Sequence, residues 1–146
     1  MFNIILASKS AVRKKILEEN GIKCQVLPSN IDEDSVKESL LKEKATPEIV
    51  SKNLAELKAN KISSKETNNI VSGADSVIDL NGEIISKPSS RKEALNILKN
   101  LNGKRHYLIS SVCISKNGSM IWNFTDKASL TMKKMSDTEI RVFKQD

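Results

Sequence analysis

The sequence is poor in the residue types on which many binding and metal sites depend. Of its 146 residues only 3% are aromatic, and it has two cysteines and one histidine. Cys24 and Cys113 belong to no C-x-x-C or C-x-x-H spacing, which argues against a zinc site or disulfide framework and indicates two reduced, packed thiols. His106 has no second histidine or suitable serine pair to accompany it, so a Ser-His-Asp hydrolase is poorly supported. We expect this histidine to be structural or to lie beside a substrate.

Long apolar runs are also missing. No stretch approaches the ~20 residues that cross a bilayer, so we expect no membrane partner. The apolar run at residues 2–7 is short and is followed, not preceded, by basic residues, unlike a signal peptide. We therefore expect a cytoplasmic protein. A chain of this length buries roughly two thirds of its unfolded surface, enough for one core, which predicts a single domain over residues 1–146.

The charge is positive overall but is not arranged as a nucleic-acid surface. The formal net charge is +6, and the lysines are spread along the chain, mostly beside acids. Nucleic-acid binding usually shows clustered basic stripes with aromatic side chains for stacking. We therefore expect no nucleic-acid partner, and a nucleotide-sized anion suits this charge better. A nonenzymatic nucleic-acid binder ranks third among the functional hypotheses.

Apolar periodicity and turn signals alternate between strand and helix, which predicts an α/β domain. Asn81-Gly82 and Asn117-Gly118 are typical of hairpin turns. Residues 90–93 and 136–139 are capping boxes that open helices, and Pro47 stands at a first helical position. The predicted strands cover residues 2–7, 24–28, 70–80, 83–86, 107–115 and 120–132. The first two predicted helices cover residues 11–20 and 35–43. The helix predicted after Thr46 has an apolar stripe that consists of Ile49, Val50, Leu54, Leu57 and Ile62. The sequence ends soon after the second capping box, so we expect a chain cut shortly after a helix start.

The segment after the first strand is a candidate anion site. Ser8 and Ser10 lie between a buried strand and a helix N-terminus, where free N–H groups and the helix dipole favour an anion. Arg13 is one turn into that helix and can point back to the same place. Alternatively, Ser10 is only an N-cap and Arg13 only a surface residue. The loop is not a Walker A motif, because G-x-x-x-x-G-K-[ST] is absent.

Three consecutive acids, Asp32, Glu33 and Asp34, form a cluster on a predicted loop. A loop carboxylate can bind Mg²⁺ or Mn²⁺, hard ions that prefer oxygen ligands. The alternative is that Asp34 or Ser35 only caps the next helix. The residues alone do not decide between these two readings.

Asp75 follows the apolar run 70–71 and is predicted to lie where a buried strand reaches an edge. Acids are depleted in strand interiors and are expensive to bury unpaired, so a metal or a cation should lie nearby. Lys87, followed by Pro88, closes a hairpin strand that starts beside Asp75. Lys58 is on a helix, where a solvated lysine is the plain alternative. Two lysines and an arginine could neutralise a triphosphate while two carboxylates hold its metal.

Taken in order, these pieces resemble the Maf family of nucleoside triphosphate pyrophosphatases. The motifs that carry the resemblance are Leu6-Ala7-Ser8, Ile31-Asp32-Glu33, residues 54–59 (LAELKA), Gly73-Ala74-Asp75-Ser76, Lys87-Pro88, and Leu101-Asn102-Gly103-Lys104 with His106. Any one of them is weak, whereas six in order are specific. The resemblance implies an elongated, two-lobed α/β fold with a mixed sheet and a central cleft, related to inosine triphosphatases. It also implies metal-dependent release of pyrophosphate, with Mg²⁺ or Mn²⁺, from noncanonical or pyrimidine nucleotides.

Matched to the family's motifs, Asp75 corresponds to the general base and a metal ligand, and Glu33 to an acidic metal or substrate ligand. The positions that correspond to phosphate contacts are Ser8, Arg13, Lys58 and Lys87. Val12 and Ser76 stand at positions linked to base preference, and Ala11-Val12 departs from the family's S-P-R-R or S-P-W-R pattern.

The family's later glycine- and glutamine-containing segment, which helps to hold the base, has no counterpart in this sequence. The alternative function is therefore a truncated nucleotide-binding or regulatory module without turnover. The sequence does not choose between dTTP, UTP and 7-methyl-GTP as substrate, and it leaves a homodimer open.

Overall fold

The computed structural model describes residues 2–143, and within them the backbone forms six strands and five helices. The strands are β1 (Phe2–Leu6), β2 (Ile22–Val26), β3 (Val71–Leu80), β4 (Glu83–Ile85), β5 (Arg105–Lys116) and β6 (Ser119–Thr131). The helices are α1 (Ala11–Glu19), α2 (Glu33–Lys42), α3 (Pro47–Lys65), α4 (Arg91–Leu101) and α5 (Asp137–Phe143). None of these helices is long and apolar enough to cross a bilayer.

The strands form one mixed sheet in the order β2-β1-β3-β5-β6, with β4 paired to β3. β1 runs parallel to both β2 and β3, and the remaining pairs are antiparallel. The parallel pairs need helical crossovers, whereas the antiparallel pairs β3–β4 and β5–β6 are hairpins joined by tight turns. The antiparallel pair β3–β5 is connected through β4 and α4. The prediction of an α/β fold with a mixed sheet is therefore confirmed.

The two predicted hairpins are present because their turn residues accept left-handed backbone angles. Asn81 and Gly82 have φ values of 55° and 88°, and Asn117 and Gly118 have 52° and 84°. These values fit type I′ turns, whose twist matches that of the flanking strands. The second turn is also tied to α3, because the Gly118 N–H donates to Ser63 Oγ at 2.9 Å.

The helix starts predicted at residues 90–93 and 136–139 are also confirmed. Ser90 accepts from the Glu93 N–H at 3.1 Å, and Ser136 accepts from the Glu139 N–H at 3.2 Å. Glu139 reaches back to the Ser136 N–H at 3.3 Å, which completes a reciprocal capping box. The second predicted strand was placed two residues too far along the chain, because it begins at Ile22 and ends at Val26.

The predicted apolar stripe of α3 was only partly right. Val50, Leu54 and Ile62 are buried, but Ile49 and Leu57 are 46% and 41% exposed. The remainder of the buried face consists of small residues one turn apart, namely Ser51, Ala55, Ala59 and Ser63. Small side chains allow a helix backbone to approach a sheet closely, so burial of this face depends on size more than on hydrophobicity.

α3 approaches the sheet closely at Gly73 in β3. A Cβ atom built there would collide with the Ala55 carbonyl oxygen and would lie 2.7 Å from the Ala59 backbone nitrogen. On the neighbouring strand Cys113 packs against the same two alanines, and burial raises the pKa of its thiol to about 11. This thiol is buried and free, as predicted, and Cys24 is free and half-buried.

The C-terminal elements pack on one another beside the sheet. Ala94 and Leu101 of α4 and Ile140 of α5 are buried. The Asn102 side chain donates to the Met135 carbonyl at 2.7 Å and accepts from the Met135 N–H at 2.8 Å. This two-way contact joins the end of α4 to the segment that leads into α5.

On the face of the sheet opposite α3, one polar row lies between two apolar rows. Side chains alternate between faces along a strand, so residues with even numbers in β3 and β5 point away from α3. On β6 several apolar side chains are exposed on the surface, among them Trp122 at 53% and Phe124 at 56%, whose rings stack with centroids 6.3 Å apart.

We predict that Gly73→Ala destabilises the fold by about 1–3 kcal/mol or more, because the added methyl group must push α3 away from β3. Denaturant unfolding at neutral pH measures this change. The exposed β6 substitution Asn123→Ala is a suitable control and should stay within ~0.5 kcal/mol of the parent. A Gly73→Ala variant as stable as that control would show that α3 is free to move at this position.

Candidate active site

The turn between β1 and α1 is organised by two serines and one arginine. Ser10 caps α1 by accepting from the Arg13 N–H at 3.2 Å, and the Ser10 N–H donates to Ser8 Oγ at 3.1 Å. The guanidinium of Arg13 turns back to donate to Ser8 Oγ at 3.2 Å and to the Ala74 carbonyl at 3.5 Å. Ser10 is therefore an N-cap, whereas Arg13 points toward β3 and is not only a surface residue. The anion site at this turn stays a prediction.

Lys58 joins three acceptors from two other elements. Its Nζ lies 2.6 Å from Glu33 Oε1, 3.2 Å from Asp75 Oδ1 and 3.1 Å from the Ala74 carbonyl oxygen. An ammonium group has three donors, and these contacts use all of them. The Lys58 and Asp75 side chains are only 13% and 9% exposed, whereas Glu33 is 44% exposed. Lys58 is therefore not a solvated surface lysine.

This cluster lies at a break in the pairing of β3. On one side of β3, the register with β1 ends at Ser72 and the register with β4 begins at Ile78. Residues 73–77 thus have β5 on one edge and no neighbouring strand on the other, within the described residues. The Ala74 carbonyl, on this open edge, accepts from both Lys58 and Arg13. An open strand edge with two cations beside it is available to an anionic ligand.

The two carboxylates of the cluster are perturbed in opposite directions. Burial raises the pKa of Asp75, and the charge and hydrogen bond of Lys58 oppose this rise without cancelling it. Burial also acts to raise the pKa of Glu33, but the hydrogen bond and charge of Lys58 outweigh it, with Lys37 and Lys87 adding to the lowering. A pair of acids with diverging pKa values is typical of a site that uses one as a base and keeps the other ionised.

The second oxygen of Asp75 distinguishes this residue from an ordinary ion-pair partner. Oδ2 is buried and has no hydrogen-bond partner among residues 2–143. A buried unpaired acceptor is costly, so such an atom is more often found where a ligand, a water or an ion completes it. The carboxylate is fixed by Lys58 through Oδ1 and by its own backbone, since Ser51 Oγ donates to the Asp75 carbonyl at 3.1 Å.

Two further cations border the opening. Lys87 follows β4 and Lys37 lies on α2, and both act electrostatically on Glu33. A shallow depression between α2 and the segment after β4 is lined in part by Lys37 and Ser86. Val12 is 67% exposed on α1, next to Arg13, and Ser76 is exposed on β3, next to Asp75.

Several of the predicted positions need correction. Asp75 lies in the middle of β3, inside the predicted strand 70–80, and the edge beside it is a lateral one, created by the separation of β1 from β3. Glu33 is the first residue of α2 and not a loop residue. The cap of α2 is Asp32, whose Oδ1 accepts from the Ser35 N–H at 3.2 Å, and neither Asp34 nor Ser35 caps it.

Sequence analysis missed Lys37 and Ser51. Lys37 follows Glu33 by four residues, a spacing that places both on one helix face, but this signal exists only if Glu33 belongs to the helix and not to a loop. Ser51 carries no signal in the sequence, because its hydrogen bond joins α3 to a strand 24 residues away. His106, at the start of β5, is half-buried, and its Nδ1 has no partner in the described part of the chain.

A divalent metal fits the carboxylates only together with a further ligand. Within residues 2–143 no group of three His, Cys, Asp or Glu side chains is arranged to hold a metal ion. Glu33 and Asp75 do approach a common point at Lys58, and Asp75 Oδ2 is unpaired. Mg²⁺ is commonly held by one or two carboxylates plus substrate phosphates, so two acids beside a phosphate site match that requirement.

Comparison with known proteins identifies the family. A family described as Maf-like protein matches residues 3–145. The chain belongs to the Maf family. A nucleoside triphosphate pyrophosphatase from Pelagibacter ubique is 76% identical over 137 residues, which are 94% of this chain and 70% of that protein. A 7-methyl-GTP pyrophosphatase from Brucella abortus is 36% identical over 132 residues, 90% of this chain and 66% of that protein.

Solved structures support the fold. A HAM1 protein from Coxiella burnetii superimposes with a TM-score of 0.53 at 15% sequence identity, covering 88% of this chain and 71% of that chain. At this level of identity the likeness concerns the fold alone. It agrees with the mixed α/β fold that the sequence predicted.

We predict that Asp75→Asn changes the pH dependence of stability in a defined direction. The raised pKa means that native Asp75 holds its proton above the ordinary value of 3.8, so its contribution to stability falls as pH rises through that window. The neutral variant lacks this loss. The free energy of unfolding of the variant minus that of the parent should therefore increase from below pH 3.8 to neutrality, as measured by denaturant unfolding at several pH values.

Glu48→Gln provides a control of opposite sign. The pKa of Glu48 is lowered, mainly by a hydrogen bond to its own backbone N–H and also by Lys127. Its stabilising contribution is present above the ordinary value of 4.5 and is lost as pH falls, so this variant should lose stability relative to the parent as pH rises. Parallel curves for the two variants would contradict the assignment of opposite shifts.

Proposed function

We propose that this protein hydrolyses nucleoside triphosphates to the monophosphate and pyrophosphate, and that residues around the open edge of β3 carry out the reaction. The observation that carries the proposal is the triad of Lys58, Glu33 and Asp75, in which a buried carboxylate of raised pKa keeps one oxygen unpaired. Membership of the Maf family and the names of the relatives from Pelagibacter ubique and Brucella abortus support it.

Asp75 acts as the general base in this proposal. A water molecule hydrogen-bonded to Oδ2 attacks the α-phosphorus, a new P–O bond forms, the proton passes to Asp75, and the bond to the bridging oxygen breaks as pyrophosphate leaves. A base is most effective when its pKa is close to the working pH, so the upward shift of Asp75 favours this role. Lys58 holds Oδ1, which orients the carboxylate and favours its ionised form against the effect of burial.

The phosphate chain lies, in this proposal, against the β1–α1 turn. Ser8, Arg13 and the N-terminus of α1 converge there, and an arginine fork and free helix N–H groups are good partners for phosphate oxygens. Lys87, which follows β4, supplies positive charge from the other side of the opening. Cations placed around the leaving pyrophosphate stabilise the charge that develops on it.

A divalent cation, Mg²⁺ or Mn²⁺, is proposed as cofactor, with Glu33 and Asp75 as its protein ligands. When bound, it would neutralise phosphate oxygens and polarise the phosphorus toward attack. Glu33 is suited to this role, because its lowered pKa keeps it ionised at neutral pH. Lys58 now occupies the facing oxygens of both carboxylates, so metal binding requires the ammonium group to share them.

Noncanonical or pyrimidine nucleotides of the dTTP, UTP or 7-methyl-GTP type are the proposed substrates. Val12 and Ser76 are the proposed contacts for base preference, and both are exposed next to residues of the site. The deciding experiment measures pyrophosphate release over a panel of nucleotides with Mg²⁺ and with Mn²⁺. Binding without release would instead favour a nucleotide-binding module.

We predict that Asp75→Asn lowers kcat by about 10²–10⁴, because loss of a positioned general base typically has this effect. Asp79→Asn is a closely matched control. Asp79 is on the same face of β3 and is as buried as Asp75, with 8% of the whole residue exposed against 7%. Its Oδ1, however, accepts from the Gly82 N–H in the hairpin turn. This control should keep turnover within a few-fold of the parent. Equal turnover in both variants would remove Asp75 from the mechanism.

We predict that Glu33→Gln raises the metal concentration needed for half-maximal rate, because a neutral amide replaces one hard anionic ligand. Isothermal calorimetry of Mn²⁺ binding in the presence of a nonhydrolysable triphosphate gives a second readout that does not depend on turnover. Glu38→Gln, further along α2 and paired with Lys42, is the control. If the metal titrations of Glu33→Gln and the parent superimpose, Glu33 is not a metal ligand and serves only to neutralise the charge of Lys58.

A further inference from the structure

Two hydroxyl groups meet across β3 and β5 on the face opposite α3. Ser76 Oγ and Ser110 Oγ are 2.9 Å apart, and the two residues are direct partners in the strand register. Ser110 is in turn the register partner of Asp126 on β6. This polar row crosses three strands between two apolar rows. The apolar rows are Ala74, Val112 and Phe124 on one side and Ile78, Leu108 and Ala128 on the other.

The position of Ser76 connects this pair to the opening in the sheet. Ser76 follows Asp75 and lies in the stretch 73–77 that has no strand neighbour on its outer edge among the described residues. The carbonyls of Ser72 and Ala74 point to that edge, since they accept from Ala7 and from Arg13 and Lys58. Backbone groups alternate along a strand, so the N–H and C=O of Ser76 face the same edge. A ligand bound at this edge meets the backbone of Ser76, and a ligand that extends over the face opposite α3 also meets its hydroxyl group.

We propose that Ser110 is a positioning residue that fixes the Ser76 hydroxyl for the nucleoside part of the substrate. This inference rests on the proposed function. Either hydroxyl can donate in the Ser76–Ser110 bond, so Ser76 can present its proton to a base carbonyl or its lone pair to a base amino group. Ser110 supplies the complementary half of the bond in each case, and it holds the Ser76 side chain in one rotamer.

As a consequence, the Ser76 hydroxyl can bind either a carbonyl group or an amino group of the nucleobase, while Ser110 keeps the Ser76 side chain ordered. Without Ser110 the Ser76 hydroxyl must be ordered by the ligand itself. Loss of a neutral hydrogen bond then corresponds to a weakening of about two- to tenfold in nucleotide affinity. Substitution of Ser110 leaves the phosphate contacts at Ser8 and Arg13 unchanged, and it also leaves the general base Asp75 unchanged. We therefore expect Ser110→Ala to raise KM and the Kd of nucleotides by this factor and to leave kcat within about twofold.

A double-mutant cycle tests this inference. The probes are nonhydrolysable analogues of dTTP and of 7-methyl-GTP, with inorganic tripolyphosphate as a ligand that has the phosphates but no nucleoside. The variants are Ser76→Ala, Ser110→Ala, the double variant, and Ser110→Thr, which keeps the hydroxyl group. Ser129→Ala, at an exposed serine on the other face of β6, is the control. Calorimetric Kd values and steady-state kinetics are measured for each.

If Ser110 acts through Ser76, the two single variants weaken nucleotide binding, the double variant is no weaker than Ser76→Ala alone, and Ser110→Thr restores the parent value. Tripolyphosphate binds all variants equally. Additive losses, or equal losses for nucleotide and tripolyphosphate, would overturn the inference and indicate a general structural defect.

Failure of the proposed function is distinguishable from failure of this inference. A parent protein that releases no pyrophosphate but shows the expected cycle in Kd refutes the pyrophosphatase proposal and supports the role of Ser110. An active parent whose nucleotide Kd and KM are unchanged by Ser110→Ala supports the proposed function and refutes the role of Ser110. Absence of nucleotide binding in the parent refutes both.

Discussion

The close approach of α3 to β3 at Gly73 is the constraint on which the site depends. Ser51, Ala55, Ala59 and Ser63 form a face without large side chains, and Gly73 removes the last obstacle on the strand. At that distance between helix and strand, Lys58, which borders the buried face of α3, donates hydrogen bonds directly to Asp75 and to the Ala74 carbonyl. A larger spacing would leave a lysine and an aspartate facing each other across a gap, each with a desolvation cost and no direct contact to offset it.

The same spacing sets the electrostatic balance of the site. Lys58 is shared by two carboxylates, one buried and one half-exposed, and this unequal burial separates their pKa values. Burial raises the pKa of Asp75 in spite of Lys58, whereas Lys58 lowers the pKa of the more exposed Glu33. Removal of Lys58 would leave a buried carboxylate uncompensated, so its role in the fold cannot be separated from its role in the chemistry.

The sequence was informative where a residue acts through its own backbone or its nearest neighbours. The Asn-Gly turns, the capping boxes at Ser90 and Ser136 and the buried acid at Asp75 are of this kind, and the ordered motifs identified the family. The strand and helix alternation also gave the mixed α/β class. These features need no knowledge of what lies across the core.

The predictions were wrong where a residue's position depends on the element that packs against it. Ile49 and Leu57 satisfy helical periodicity, yet small residues occupy the buried face because β3 presents a glycine opposite them. Glu33 was assigned to a loop because Asp34 and Ser35 are equally good caps on sequence grounds, and only the hydrogen bond from Ser35 to Asp32 identifies the helix start. The edge beside Asp75 exists because β1 leaves β3 after Ser72, a property of the sheet that no local pattern encodes.

The small-residue face of α3 also affects how sequence variation in this protein would be interpreted. Replacing Ala55 or Ala59 with valine adds only carbon atoms on the far side of the helix from solvent, and such a chain could still fold by letting α3 tilt outward. The tilt would carry Lys58 with it. Natural or laboratory variants of these two alanines would then resemble active-site mutations in a genetic screen, although neither side chain contacts the carboxylates. Suppressor mutations should be sought among the strand residues that face these alanines, where a smaller side chain would let α3 return to its position.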